Sequence, residues 1–242
     1  MVEPAPVDIA VFAAARERVL TTISNAAARV GRDPADVTLV AVSKTVPAER
    51  LVAAVGAGLT ILGENRVQEA ESKVARVPGA SWHLVGPLQS NKARRALMTF
   101  AVIESVDTIE LAERLDRLAA EVRPGERVPV LLEVNVDDDP AKAGFAPDAL
   151  AGALSRLGEL EHLEIGGLMT VGRLVERAED ARSTFVALRE LSGRLRSPAV
   201  GGASVLGPAL SMGMSDDYPI AVEEGATIVR VGRALFGERH HP

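Results

Sequence analysis

The 242 residues contain no cysteine. That absence excludes disulfides, a thiolate nucleophile and any cysteine-based metal site, and it accords with a reducing, cytoplasmic setting. A basic excess is also lacking, since 27 Lys and Arg stand against 33 Asp and Glu for a formal net charge of −6. Nucleic acids and anionic membranes need a basic field, so neither is expected as a partner, although a local pocket for one phosphate is compatible with the balance. Long apolar runs are missing too. None approaches the roughly 18 residues of a membrane span, and the N-terminal stretch shows neither the basic start nor the continuous apolar core of a signal peptide. A soluble protein of the cytoplasm is the expectation.

With 47% hydrophobic and 25% charged residues, the chain can bury a full core. Between Asp8 and Val30, residues Ile9, Phe12, Val19, Ile23, Ala26, Ala27 and Val30 recur near a 3.6 period, predicting an amphipathic helix that ends at Gly31. Strand-like and helical runs then alternate. Strands are predicted at 38–43, 59–63, 81–86, 101–105, 128–136, 163–170, 205–211 and 227–231, and helices at 47–56, 65–76, 90–98, 107–122, 147–157, 175–196, 216–224 and from Arg233 onward. Asp107-Thr108-Ile109-Glu110 has the spacing of a capping box at the head of one of these helices. Eight βα units behind one extra helix fit an α/β fold of the (β/α)8 TIM-type barrel class, as a single domain over 1–242, with a doubly wound open sheet as the alternative. The loosest stretch, Ser197 to Pro208 with Pro198, Gly201, Gly202 and Gly207, reads as a surface loop.

In such a barrel the strand C-termini converge on one face, where active sites sit. The apolar run Leu39-Val40-Ala41-Val42 leads through Ser43 to Lys44, and Pro47 then opens a helix. A lysine at the mouth of a buried strand must be paired or have its pKa lowered, and a neutral amine there can form a Schiff base. The plainer alternative is a lysine that snorkels to solvent. Two glycine turns follow strands seven and eight. Leu210-Ser211-Met212-Gly213-Met214-Ser215-Asp216-Asp217 enters a helix with Ser215 or Asp216 as N-cap, and Arg230-Val231-Gly232-Arg233 closes the last strand. Barrels frequently bind phosphate between these two loops, and Gly232 permits close backbone approach.

Val42-Ser43-Lys44, Gly63-Glu64-Asn65-Arg66-Val67-Gln68-Glu69, Trp82 to Lys92, Gly167-Leu168-Met169-Thr170 and Leu210 to Asp217 together resemble the pyridoxal phosphate homeostasis protein family over nearly the whole chain. The resemblance implies a barrel similar to that of alanine racemase, binding pyridoxal 5'-phosphate (PLP) without established turnover, in vitamin B6 and amino-acid balance. It makes Lys44 the Schiff-base lysine, places Ser211, Gly213, Gly232 and the backbone of Arg233 on the phosphate, and sets Arg230 against the pyridine nitrogen. Position 233 is Arg where relatives of this pattern carry Thr, which removes a hydroxyl contact and keeps a backbone one. A guanidinium beside that nitrogen weakens the cofactor as an electron sink. PLP-dependent apoenzymes are the implied recipients, and a monomer is expected.

The enzyme alternative is a PLP-dependent amino-acid racemase, which needs acid/base groups on both faces of the substrate carbon. The single tyrosine, Tyr218, falls within the helix after strand seven. A third reading is a phosphate-binding barrel in which Lys44 is only a charge. Asn65 can approach the cofactor ring or cap the following helix. His83 reads as a satisfied core histidine. Glu133, Asn135 and Asp137, on one face of the fifth strand with Asp138 and Asp139 following, can suggest a hard-metal site, but acidic loops are commonly just solvated. Lys92, Arg94 and Arg95 read as the wet face of a helix, and Met98, Met169, Met212 and Met214 as packing residues.

Overall fold

The computed structural model describes residues 6–173, 175–200 and 202–237. Eight parallel strands close a barrel in chain order: β1 (Thr38–Val42), β2 (Ile61–Glu64), β3 (Ser81–Leu84), β4 (Val102–Val106), β5 (Val128–Glu133), β6 (Leu163–Met169), β7 (Ala209–Ser211) and β8 (Ile228–Val231). β8 returns to β1 with Val40 opposite Arg230, so the ring has no open edge. Around it lie α1 (Pro6–Arg29), α2 (Ala48–Gly56), α3 (Val67–Val74), α4 (Ala93–Thr99), α5 (Ile109–Val122), α6 (Pro147–Gly158), α7 (Arg182–Leu195), α8 (Tyr218–Glu223) and α9 (Arg233–Phe236).

Side-chain alternation sorts each strand into two sets. Ala41, Leu62, Leu84, Ile103, Leu132, Leu168 and Val229 belong to the apolar cluster shared with the helices. Residues of the opposite parity, among them Val40, His83, Glu104, Glu133, Met169, Ser211 and Arg230, are buried but stand outside that cluster and face the barrel axis. The interior is therefore polar toward its C-terminal end. The extra helix α1 buries Phe12, Ala15, Val19, Ile23, Ala26 and Ala27 and packs beside α2, α8 and α9. Phe12 meets Phe236 edge-on with centroids 5.6 Å apart.

Several predicted boundaries move. The fifth strand ends at Glu133, so Asn135 and Asp137 do not share its face, and the chain turns at Asp138 with φ 50°. The predicted helix 175–196 splits into a 3-10 turn at Ala178–Ala181 followed by α7, and helix 90–98 begins as a 3-10 turn at Ser90–Lys92 before α4. The cap of α5 is Thr108, one residue later than the sequence spacing indicated, with its hydroxyl accepting from Leu111 N–H at 3.2 Å. The seventh strand is confined to Ala209–Ser211. The stretch before it is no simple surface loop, because Leu206 and Gly202 are buried and Gly202–Ser204 forms a 3-10 turn. Gly201 of that stretch lies outside the described residues. Met169 and Met212 are fully buried as packing residues, whereas Met98 is 72% exposed.

At Gly167, β6 and β7 approach so closely that an added Cβ would lie 2.0 Å from the Ala209 carbonyl oxygen and 2.6 Å from its nitrogen. Both neighbours are backbone and cannot rotate away, so the two strands would have to part. Gly167→Ala is expected to destabilise the fold by about 3 kcal/mol or more. Gly152→Ala, in α6 with nothing within 4 Å of the new methyl, is expected to stabilise it by about 1 kcal/mol. Urea unfolding of the two variants checks the pair, and equal midpoints would contradict the close strand approach.

Candidate functional site

The chain leaves β1 at Val42, and Lys44 sits in the turn that follows, half-buried. It lines a cavity of about 310 Å³ with Thr45, Arg50, Gly232, Arg233 and Phe236. That volume is at the small end of ligand pockets. The fold thus brings Lys44 and the turn after the last strand together across the β1–β8 seam. At Gly232 a Cβ would stand 3.3 Å from the Val42 carbonyl, tighter than ordinary contact. The Gly232 amide donates to the Ser215 hydroxyl at 3.1 Å, and Arg233 pairs with Asp216. These contacts tie the loops after β7 and β8 to each other. Neither Ser215 nor Asp216 caps α8; Asp217 precedes it and accepts from Met214 N–H at 2.6 Å. Gly213 has φ 90°, and a Cβ there would meet that of Ala221 at 2.5 Å, so glycine is also required for the close seating of α8.

A network not anticipated from the sequence holds the Lys44 turn from outside the barrel. Lys73 Nζ donates to the Ser43 carbonyl at 3.0 Å, to Glu64 Oε1 at 2.7 Å and to Glu69 Oε1 at 2.7 Å, which uses all three ammonium protons. Ser43 Oγ donates to Glu64 Oε1 at 2.7 Å, and Thr45 N–H donates to Glu69 Oε1 at 2.6 Å. The residues on either side of Lys44 are therefore pinned by one set of charges. Thr45 needs this support, since a β-branched residue at φ 68° costs about 1–3 kcal/mol. Burial pushes the Glu64 carboxyl up, against the hydrogen bonds from Lys73 and Ser43. Burial also opposes ionisation of Glu69, but there the contacts from Lys73 and Thr45 prevail and hold it below the usual range.

Inside the barrel, Arg230 is 4% exposed and Glu104 fully buried. Arg230 Nη1 donates to Ser211 Oγ at 2.6 Å and Nη2 to the Thr170 carbonyl at 2.7 Å. Ser211 in turn reaches Glu104 Oε2 at 2.5 Å, and His83 Nδ1 lies 2.7 Å from Glu104 Oε1. Burial would raise the Glu104 carboxyl, yet the hydrogen bond and charge of His83, with Arg230 and Ser211, keep it low. Burial lowers Arg230, opposed by Glu104, Glu133 and Asp217. His83 is the satisfied core histidine that its strand position predicted, and its partner is an acid. The signal for Glu104 was present in the sequence, a carboxylate inside the strand Val102-Ile103-Glu104-Ser105-Val106.

Asn65 lies apart from the Lys44 cavity. It does not cap α3, whose N-cap is Arg66, and instead lines a second cavity of about 280 Å³ with Gly86, Glu133, Asn135, Lys142 and Val171. Asn135 is occupied by the turn after β5, donating to the Asp139 carbonyl at 2.8 Å and accepting from its amide at 3.1 Å. Asp137 accepts from Thr184 Oγ1 at 2.7 Å. Among the described residues no group of three His, Cys, Asp or Glu is arranged to hold a metal ion. Arg94 and Arg95 form exposed ion pairs with Glu121 and Glu71, as expected of a wet helix face. No helix among the described residues is long and apolar enough to cross a membrane.

The closed parallel barrel, with a lysine after its first strand beside the glycine turn after its last, places the protein in the (β/α)8 barrel class, with its candidate site at the mouth. The chain matches the family model described as alanine racemase, N-terminal domain, over residues 18–240. Curated proteins named pyridoxal phosphate homeostasis protein are similar over almost their whole length: 41% identity to that of Pseudomonas aeruginosa over 93% of this chain and 94% of the relative, and 39% to that of Aquifex aeolicus over 93% and 96%. The structure of PipY from Synechococcus elongatus PCC7942 with PLP bound is 42% identical, with a TM-score of 0.78 over 89% of this chain and all of the other. An alanine racemase of Clostridium difficile 630 in complex with cycloserine shares the fold alone, at 16% identity and a TM-score of 0.69. The chain belongs to the pyridoxal phosphate homeostasis protein family.

One group in the second cavity has a measurable cost. Burial, with Asp107 adding repulsion and Arg230 opposing, raises Glu133 from 4.5 to about 6. Below the unfolded value both states are protonated and the cost vanishes; as pH rises through the folded value both states ionise and the fold loses about 2 kcal/mol. Glu133→Gln is therefore expected to be more stable than the native protein by about 2 kcal/mol at pH 7.5 and equally stable near pH 4. Denaturant unfolding at the two pH values checks this, and a pH-independent difference would contradict it.

Proposed function

We propose that this protein binds PLP on Lys44 and takes part in the homeostasis of PLP and of amino acids in the cytoplasm, without catalytic turnover. The observation that carries this reading is the meeting of Lys44 with Gly232 and Arg233 in one cavity, in a chain of this family. The residues fit the cofactor: an amine at the mouth, a glycine turn with no side chain in the way, and a second loop bound to it through Ser215. Bound PLP supplies an aldehyde that condenses with a primary amine and releases water. Lys44 is the amine, held in place through Ser43 and Thr45. Gly232, the Arg233 backbone and the turn from Ser211 to Gly213 hold the phosphate. We assign Ser211 to this set through the loop it starts, because its hydroxyl is 2.5 Å from Glu104 and a phosphate dianion would be repelled there.

Arg230 faces the pyridine nitrogen in this reading, and Asn65 approaches the ring edge. The guanidinium is fixed by Ser211 and Thr170, so it stays in place and keeps the nitrogen unprotonated, which favours holding the cofactor over activating carbanions. A racemase would need an acid/base group opposite Lys44. Tyr218 is buried in the apolar cluster at the start of α8, which does not favour that role. PLP-dependent apoenzymes are the recipients we infer, with the protein acting as a monomer.

Borohydride reduction of the purified protein is expected to fix one pyridoxyl group on Lys44, located by mass spectrometry. A label elsewhere, or none, would sink the reading. Lys44→Ala should fold normally and retain weak, noncovalent binding, since a half-buried lysine in a turn contributes little to the core. Incubation with L-alanine followed by chiral analysis should show no racemisation above that of free PLP. Efficient racemisation would move the protein into the enzyme class.

A further inference from the structure

Arg50, in the first turn of α2, brings a further cation to the cavity beside Lys44. The lining carries Lys44, Arg50 and Arg233 and no carboxylate; the remainder is Thr45, Pro47, glycine and apolar side chains. Lys44 is engaged in the covalent link of the proposed function, and Arg233 pairs with Asp216. The Arg50 side chain takes no ion pair and no hydrogen bond among the described residues. A positive charge without a counter-ion on the wall of a concave site favours an anion there.

Although Arg50 is exposed, its head is held. The guanidinium carbon stands 5.3 Å from the centroid of the Phe12 ring, within reach of a cation–π attraction. Phe12 is itself 1% exposed and set edge-on against Phe236, which lines the same cavity. The helix that precedes the barrel thereby supplies the platform for a charge at the barrel mouth. A guanidinium stacked on a ring face spends none of its N–H groups, because they all lie in its own plane. That fork matches the oxygens of a phosphate, and the turn after β8, at Gly232 and Arg233, lines the same cavity.

We propose that Arg50 is a specificity residue of this cavity: seated on Phe12, it meets the phosphate of the ligand, so that the cavity selects a phosphorylated aldehyde over the same aldehyde without phosphate. The inference rests on the Lys44 reading for the aldehyde and on the cavity for the anion. Water screens a charge at the rim, so the effect is selectivity between two ligands and not the whole of the binding.

Spectrophotometric titration of the full chain, freed of bound aldehyde with hydroxylamine, with PLP and with pyridoxal tests the selectivity. Arg50→Gln is expected to weaken PLP about tenfold, as loss of a charge-assisted contact does, and to change pyridoxal by less than about twofold. Arg50→Lys, which keeps the charge and loses the fork, is expected to recover part of the difference. An equal loss for both aldehydes would mark Arg50 as a packing partner of Phe12, and an unchanged PLP affinity would mark it as a surface charge; either overturns the proposal. Inorganic phosphate supplies an arm that needs no aldehyde. Phosphate stabilises proteins generally through exclusion from their surface, so the measure is how much further it raises the thermal midpoint of the native protein than that of Arg50→Gln. Equal rises overturn the role of Arg50 whether or not Lys44 is labelled. A larger rise in the native protein, with no pyridoxyl label on Lys44, removes the cofactor reading and leaves phosphate recognition by Arg50 standing.

Discussion

The bridge that the Ser211 hydroxyl makes between the buried charges of Arg230 and Glu104 inside the barrel is the interaction on which the arrangement of the mouth depends. Both charges are withdrawn from water, so each is tolerable only with the other present and with the remaining donors and acceptors occupied. Ser211, the Thr170 carbonyl and His83 occupy them. Through these contacts the ends of β3, β4, β6, β7 and β8 share one polar network. A guanidinium held at both terminal nitrogens cannot swing toward a neighbouring anion, which is why Arg230 acts as a fixed charge. Its hydrogen bonds go to Ser211 and Thr170, and it acts on Glu133 through charge alone.

The Lys44 turn is held by different means. It projects beyond the end of β1, where the last bond to the sheet runs from the Ser43 amide to the Gly63 carbonyl at 2.8 Å, and its Thr45 is in a conformation that costs energy. Lys73, Glu64 and Glu69 supply that support from α3 and β2, with one ammonium satisfying a carbonyl and two carboxylates. A buried triad of this kind contributes little net stability in place of apolar packing, but loss of any one member leaves a charge unpaired. Its contribution is to the position of the lysine, whose two neighbours it holds.

The barrel was legible because its signals are local. Strand-like runs between helical ones marked eight strands, and a helical stripe marked α1, of which Phe12, Val19, Ile23, Ala26 and Ala27 are buried while Ile9 is partly buried and Val30 exposed. Boundaries drifted where tertiary contacts intervene. The fifth strand stops at Glu133 because the Phe145 amide turns in to bond the Glu133 carbonyl at 2.8 Å, and no pattern near residue 133 announces a partner twelve residues away. The residues before β7 look like a loop by their glycines and prolines, yet Gly202 approaches the Leu195 carbonyl too closely for any side chain. That requirement belongs to packing.

For the site, position along the chain was enough to single out Lys44, Gly232 and Arg230, since in a parallel barrel every strand ends on the same face. The pattern could not tell what those residues would touch. Ser211 read as a phosphate ligand by its place in a turn, and the fold set its hydroxyl between Glu104 and Arg230. Asn65 read as a ligand or a cap, and it lines a cavity with Glu133, from a strand three places further on. What the sequence by itself determined is the alternation that closes the barrel and the lysine and glycine turns at its mouth, because periodicity and turn chemistry act over a few residues. Which buried charges meet was decided only when the closed ring turned residues of β3, β4, β7 and β8 toward one axis.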